Sequence, residues 1–487
     1  MTKVTKIYGP PGTGKTEKLI RRAMAYIRVG TPVNKIGYFA FTRKAANEAR
    51  DRMLKKNPQY KKKQLKYFQT LHSLAFHSLG LREENVMQDY HYNDLGKELS
   101  IRVNAKKDTD ASPYLTCDNE YFQIILKAKE KDIPVWDEYC TGEHSTNVKP
   151  DLLKHIEANY NQYKHPDINN LVDFTDMIHD IVQQPNKIPK FDVVFIDEAQ
   201  DLSPIQWKLY DILKSKSKNI YLAGDDDQAI YGWAGADVDR FIQEPATEKV
   251  LSKSRRIPKA VQDISEIITA RIEGLRATKN YLPRAEEGLC SKINSLENLD
   301  LHQGNWLILT RTLSRAKEVC DILKVKGLYY ENRHQKSYNT KLYKAIVNHN
   351  KWLNGETITD TARADIIEYI GEKRELIKDR NNLNLKWFEC FDNASAEDKI
   401  YIRLLLSYKE KLSEDARIKV STIHAAKGGE CENVILVLDN AKKIREATTK
   451  SIIKRDEEHR VWYVGCTRAK RNLYLMRAKI ERKGYQL

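Results

Sequence analysis

Nowhere in the 487 residues do apolar side chains run uninterrupted for the ~18 positions that a membrane-crossing helix needs. The opening MTKVTKIYG likewise has no apolar stretch behind a basic start of the kind a secretory leader carries. A soluble, cytoplasmic protein with no membrane partner is therefore expected. The seven cysteines, at 117, 140, 290, 320, 390, 431 and 466, include no Cys-x-x-Cys pair, which argues against a zinc ribbon or an iron-sulfur cluster and leaves reduced, mostly buried thiols as the expectation. Internal repeats of ~20 to 50 residues and low-complexity tracts are also lacking.

An acidic excess is missing as well: 83 Lys and Arg face 67 Asp and Glu, a formal charge of +16. Such a balance suits a polyanion such as nucleic acid, although a surplus of solvated lysine has the same arithmetic. The densest basic run holds Lys55, Lys56, Lys61, Lys62, Lys63 and Lys66 with Tyr60 and Tyr67 interleaved. From Arg468 to Leu487 there are seven basic residues against one acid. Either segment could track phosphates, or simply form a solvated face.

Residues 3–8 read as a strand, followed by GPPGTGKT at 9–16 and an amphipathic helix carrying Leu19, Ile20, Ala23, Ala25 and Ile27. A second strand and helix follow from IGYFAFT at 36–42. Residues 81–165 are more polar and helix-like. Strand patterns return at FDVVFI (191–196) and NIYLAG (219–224), then at WLILT (306–310), KVSTIH (419–424), NVILVLD (433–439) and NLYLM (472–476). Strands alternating with helices predict parallel, doubly wound sheets, and the last four predict a second α/β domain.

Strand, glycine loop and helix in that order are what a phosphate loop requires. Gly9, Gly12 and Gly14 let backbone amides converge on phosphate oxygens, and the helix N-terminus adds a favourable dipole. Pro10, Pro11, Thr13 and the following Glu17 complete the nucleotide-contacting segment. Lys15 is expected to neutralise the β and γ phosphates and Thr16 to hold Mg²⁺. FDVVFI ends in Asp197 and Glu198, at the carboxyl edge where α/β proteins place ligands. Alone, such a pair is most often a helix cap. Beside a phosphate loop, Asp197 suits Mg²⁺ and Glu198 suits orienting and deprotonating the attacking water. AGDDDQAIYGWAGAD at 223–237 also follows a strand, so Gln228 is placed to sense the γ phosphate or the water. Tyr231 and Trp233 either stack on bases or pack at a domain interface.

Taken together these segments resemble the UvrD/Rep-like branch of superfamily 1 DNA helicases. GPPGTGKT is similar to motif I, AFTRKAANEAR (40–50) to Ia, FQTLHSLA (68–75) to Ib, and VDFTDMI (172–178) to the segment that precedes FIDEAQD. GDDDQAIYGWAGAD is similar to motif III, LSKSRRIP (251–258) to IV, LTRTLSRA (309–316) to IVa, STIHAAKGGE (421–430) to V and VWYVGCTRAK (461–470) to VI. The resemblance implies an α/β fold of two RecA-like doubly wound parallel-sheet domains, each interrupted by a small mainly helical insertion. Its expected bounds are 1–80 and 166–245 for the first domain around an insertion at 81–165, then 246–327 and 416–487 for the second around an insertion at 328–415.

It further implies ATP between the domains, Arg256 and Arg468 reaching from the second domain to the γ phosphate, Gln228 coupling hydrolysis to closure, and Glu430 on the ribose with Gly428 in the same nucleotide-contacting set. Along single-stranded DNA it implies Phe41, Thr42, Thr70 and His72, then Tyr231 and Trp233. From the second domain it implies Thr310, Arg311, Thr422 and His424. Hydroxyls and basic groups there hold phosphates without reading sequence. The implied activity is ATP-driven 3′ to 5′ travel on single-stranded DNA and at single-strand/duplex junctions, by a monomer or weak oligomer.

Three base-facing features depart from the family. Only MT precedes KVTKIYG where the family has a glutamine that reads adenine, Glu17 replaces an arginine, and Arg255 replaces a tyrosine. Weak discrimination among nucleoside triphosphates is therefore expected. Ala234 also stands where arginine is common, no Gly-x-Gly hairpin occurs in 328–415, and no nuclease-like domain is expected after motif VI. Two alternatives follow: a translocase that displaces proteins without appreciable unwinding, and a non-catalytic DNA-binding module switched by nucleotide. Glu198 and Arg468 argue against the second, since a switch needs neither water activation nor relief of transition-state charge.

Overall fold

The computed structural model describes residues 2–107, 115–142, 144–371 and 386–487, so parts of both expected insertions, 108–114 and 372–385, lie outside the described residues. The chain forms two compact units, Met1–Glu287 with Ala447–Thr467, and Gly288–Glu446 with Arg468–Leu487.

In the first unit the strands are β1 (Lys3–Tyr8), β2 (Ile36–Ala40), β3 (Phe68–Thr70), the small hairpin β4 (Ala105–Lys107) and β5 (Leu115–Cys117), β6 (Phe191–Ile196), β7 (Ser217–Gly224) and β8 (Thr247–Val250). All but the hairpin join one parallel sheet in the order β3-β2-β6-β7-β1-β8. Parallel pairing demands crossover helices that cover both faces, which is why the inner strands β2 and β6 are nearly continuous apolar runs. Side chains alternate between two cores accordingly. Val193 and Phe195 pack with Leu19, Ile20 and Met53 on one face, while Val194 and Ile196 pack with Ile178, Leu209 and Phe241 on the other.

The expected boundary at residue 246 is not where the units divide. β8 pairs with β1 from Thr5↔Thr247 to Tyr8↔Val250, which draws the following segment into the first unit. The helix Ile452–Cys466 also belongs there: its Asp456 accepts from the backbone N–H of Glu273 at 3.1 Å and of Gly274 at 2.7 Å.

The second unit contains β9 (Leu289–Ile293), β10 (Trp306–Thr310), β11 (Tyr330–Asn332), β12 (Gln335–Lys336), β13 (Ile418–Thr422), β14 (Cys431–Val437) and β15 (Ala469–Met476), in the order β12-β11-β13-β10-β14-β15-β9. Every pairing is parallel except β11 with β12. Helices Thr340–Leu353, Asp360–Ile370 and Ala396–Ser407 gather around their own core of Leu342, Ile366, Phe391 and Ile402. No helix among the described residues is long and apolar enough to cross a membrane.

The helical insertion of the first unit has its own core as well, around Tyr92, Phe122, Ile156 and Tyr160. A buried charge cluster ties it to the helix Phe174–Gln183, where Asp173 is the N-cap. Asp173 accepts from Tyr160 OH at 2.5 Å and Lys164 Nζ at 3.0 Å, and it also pairs with Lys129. Burial opposes its charge, but Lys129 and then Lys164 outweigh that and hold the carboxyl well below its ordinary range. Its stabilising contribution is therefore present at neutral pH and is lost as the pH falls through that depressed value. Removing one partner of a buried pair strands the others, so Asp173→Ala is expected to cost roughly 3 kcal/mol, read as a lowered midpoint in urea unfolding at pH 7.

Candidate nucleotide site and nucleic-acid groove

All the strands of the main first-unit sheet point the same way, so the segments after β1, β6 and β7 emerge along one edge. Gly9 N–H donates to Gly224 O at 2.9 Å, which joins the phosphate loop to the start of the GDDDQ segment. The helix Lys15–Arg28 begins immediately after Gly14, whose φ of 85° is left-handed, and Gly12 has φ +73°. Gly12 also meets a neighbour: a Cβ there would lie 2.3 Å from Arg256 Cβ.

Arg256 therefore sits against the phosphate loop within the first unit, not on a second-unit segment as its expected role implied. The loop that carries it is fastened locally. Arg255 N–H donates to Gly12 O at 2.9 Å, and the buried Ser254 hydroxyl donates to Pro11 O at 2.8 Å.

Thr16 Oγ1 donates to Asp197 Oδ2 at 2.6 Å, which brings together the two residues expected to hold Mg²⁺. Both are hard oxygen donors of the kind that ion takes. Asp197 is 3% exposed, and burial followed by the neighbouring Glu198 charge lifts its carboxyl above the ordinary range. That is the electrostatic state a cation would relieve, and so the residues fit the ion. Tyr38 OH donates to the same oxygen at 2.8 Å. Lys15 Nζ donates to Gly9 O at 3.1 Å and stands 3.7 Å from Glu198 Oε1. Glu198 has a left-handed φ of 56°, which turns its side chain away from the run of β6.

Gln228 is 5% exposed, and its Nε2 donates to Asp225 Oδ2 at 2.7 Å. Gln200 bridges the two segments: its Nε2 donates to Glu198 Oε2 at 2.8 Å and its Oε1 accepts from Asp225 N–H at 3.0 Å. Gln200, Tyr38 and Ser254 are participants that sequence reasoning missed. A hydroxyl in the apolar strand IGYFA and an amide inside DEAQD were the available signals.

The expected DNA residues of the first unit lie along the same edge, after β2 and β3. Phe41, Thr42, Thr70 and His72 line one groove of about 520 Å³ together with Phe76 and Phe174. Thr42 and Thr70 each cap a helix, accepting from Ala45 N–H and Ser73 N–H at 3.1 Å, so backbone amides and hydroxyls meet at the groove wall. Tyr231 is buried and stacks on Phe41 with ring centroids 5.2 Å apart, which is packing, whereas Trp233, tilted against Tyr231, is 42% exposed.

In the second unit the candidates divide between opposite edges. Thr310 and Thr422 end the paired strands β10 and β13. Thr310 is fully buried, with its hydroxyl donating to Thr312 O at 2.9 Å, so it does not offer that group to a ligand. Arg311, Thr422 and His424 stay half-buried there. Glu430 and Arg468 instead precede β14 and β15. Arg468 is 1% exposed and its Nη1 donates to Gly429 O at 3.2 Å. Gly428 has φ +86° with nothing within 4 Å of a Cβ, and Lys470 lies 3.8 Å from Glu430. Glu17, on the first unit's helix, pairs with Arg21 at 2.8 Å and with Lys56.

Residues 1–248 match the family model described as the UvrD/REP helicase N-terminal domain, and residues 389–479 match the UvrD-like helicase C-terminal domain. A Mycoplasma pneumoniae protein described as "Probable DNA helicase" is 25% identical over 98% of this chain and 81% of its own length. A Mycoplasma capricolum protein described as "Probable DNA helicase II homolog" is 25% identical over 85% of this chain and 61% of its own. The "ATP-dependent DNA helicase PcrA" of Staphylococcus epidermidis is 26% identical over 57% of this chain and 36% of its own.

The two loop glycines should differ in their tolerance of a side chain. Gly14→Ala imposes left-handed backbone strain of about 1–2 kcal/mol, whereas Gly12→Ala adds a collision with the Arg256 loop. Nucleotide affinity measured by titration is expected to fall further for Gly12→Ala than for Gly14→Ala.

Proposed function

Because the chain belongs to the UvrD/REP helicase family, we propose that it is an ATP-dependent DNA helicase that travels 3′ to 5′ along single-stranded DNA and separates strands at a junction. The observation that carries this is the meeting of Lys15, Thr16, Asp197 and Glu198 at one sheet edge, with Thr16 and Asp197 in contact at 2.6 Å, beside an aromatic groove on the same edge. A nucleotide-switched binding module has no use for a carboxylate that stands next to the phosphate-loop lysine.

In this account Lys15 exchanges Gly9 O and Glu198 for phosphate oxygens, and Glu198, so released, orients a water and takes its proton. Mg²⁺ held through Thr16 and Asp197 would neutralise charge on the phosphates. Gln228 senses the γ phosphate. Arg256 from the first unit and Arg468 from the second stabilise charge spreading over the transferring group, where a planar guanidinium serves better than an ammonium. Gly428 and Glu430 border the sugar. Closing on ATP and reopening after hydrolysis then alternate the grip on DNA. Trp233 offers a face that any base can stack on, Phe41 and His72 line the groove of the first unit, and Arg311, Thr422 and His424 add phosphate contacts from the second, so little sequence preference follows. A second reading, displacement of bound proteins without unwinding, is favoured by the small insertion at 328–415, which has no Gly-x-Gly hairpin.

Strand displacement on 3′-tailed and 5′-tailed duplexes, run beside displacement of a protein block, tests this. ATP-dependent displacement is expected from the 3′ tail. Release of the block without strand separation supports the second reading, and displacement confined to the 5′ tail contradicts the direction.

Base selectivity is expected to be weak, because Glu17 is committed to Arg21 and Lys56 and Arg255 replaces a ring. Values of kcat/KM for ATP, GTP, CTP and UTP should lie within about tenfold, against the ~10⁴-fold discrimination of a site that reads hydrogen-bonding groups. An ATP preference near that larger figure contradicts the expectation.

A further inference from the structure

Lys279 lies beyond the helix Lys259–Thr269, 54 positions from Asp225, and belongs to none of the motif segments. Its side chain is 2% exposed, with Nζ 2.7 Å from Asp225 Oδ1, 2.6 Å from Asp226 Oδ1 and 2.7 Å from Asp227 Oδ2. Arg276 closes on Asp227 with Nε at 2.7 Å and Nη2 at 3.0 Å, and Ala277 N–H donates to Asp226 Oδ2 at 3.0 Å. Three successive buried carboxylates are costly unless paired. Burial works against the Asp227 charge, yet Lys279 and then Arg276 hold its carboxyl below the ordinary range.

Neutralisation alone does not account for the arrangement, because Asp225 is a node. One of its carboxylate oxygens takes Lys279 and the other takes Gln228 Nε2 at 2.7 Å. Its backbone N–H holds Gln200 at 3.0 Å, and Gln200 in turn holds Glu198 at 2.8 Å. A single ammonium thus fixes the residue from which both are aimed, Gln228 through the Asp225 carboxylate and Glu198 through the Asp225 backbone N–H and Gln200.

We propose that Lys279 is a positioning residue for hydrolysis: by pinning Asp225 it aims Gln228 and, through Gln200, Glu198 at the attacking water. This rests on the roles given to Gln228 and Glu198 above. A misplacement of about 1 Å at such groups is enough to slow a reaction that depends on alignment.

The test is steady-state ATP hydrolysis by the full chain at saturating single-stranded DNA, in Lys279→Met, Lys279→Arg, Gln228→Ala and the double variant Gln228→Ala/Lys279→Met. Lys279→Met is expected to lower kcat at least ~10-fold with KM for ATP within about twofold, and Lys279→Arg to recover most of that loss. Because the two residues act through one node, the double variant should lose less than the product of the single losses, by about fivefold or more. Independent, multiplicative losses, or a kcat for Lys279→Met within about twofold of the unchanged protein, overturn the proposal. An unchanged kcat in Gln228→Ala refutes instead the role given to Gln228, and the proposal falls with it. If Lys279→Met does not fold, Asp225→Asn leaves Lys279 its two other carboxylates. It is expected to show the same loss in kcat, and full activity there overturns the proposal.

Discussion

Three neighbouring strands running in one direction constrain the rest of the first unit. β6, β7 and β1 lie side by side and end at one edge, so DEAQD, GDDDQ and GPPGTGKT have no choice but to meet. Parallel pairing forces crossovers, the crossovers bring helices to both faces, and the helices bury the strands that aim those loops. The short bonds across the edge, such as Gly9 N–H to Gly224 O at 2.9 Å and Thr16 to Asp197 at 2.6 Å, follow from that register.

Two clusters of buried carboxylates contrast with Asp197. Asp173 and the trio Asp225 to Asp227 are surrounded by Lys129, Lys164, Lys279 and Arg276 in direct contact, and Asp173 and Asp227 stay ionised below their usual range. Asp197 instead has no cation in direct contact among the described residues: it accepts from the Thr16 and Tyr38 hydroxyls and from Glu198 N–H, and its carboxyl is pushed upward by burial and by the Glu198 charge. These two clusters carry their own cations, although burial still lifts the Asp226 carboxyl above its ordinary range. Asp197 and Glu198 are left in a state that a bound cation would change.

Long buried strands were legible in the sequence because their patterns are continuous: FDVVFI and WLILT have the expected bounds. The strands that were missed are short or lie at edges. β8 is exposed throughout, and β11 and β12 are joined by Arg333 and His334, both with positive φ, where a tight hairpin more often shows Asn-Gly. Missing β8 also displaced the expected boundary, since its pairing with β1 is what keeps Arg256 and Lys279 in the first unit. Within the candidate site, Lys15, Thr16, Asp197 and Glu198 belong to short local motifs, and their meeting at one edge could be expected from those motifs. Tyr38 reaches Asp197, Gln200 reaches Asp225 and Lys279 reaches three successive carboxylates across long sequence separations, which no local pattern encodes.

The central claim is that a water-activating carboxylate at this sheet edge makes nucleotide turnover answer to DNA. Phosphate release in the presence and absence of saturating single-stranded DNA, compared between the unchanged protein and Glu198→Gln, measures it most directly. DNA should accelerate release in the unchanged protein, and Glu198→Gln should lose roughly 10²-fold or more of that rate while binding DNA as before. Release that is indifferent to DNA, or undiminished in Glu198→Gln, would contradict the account.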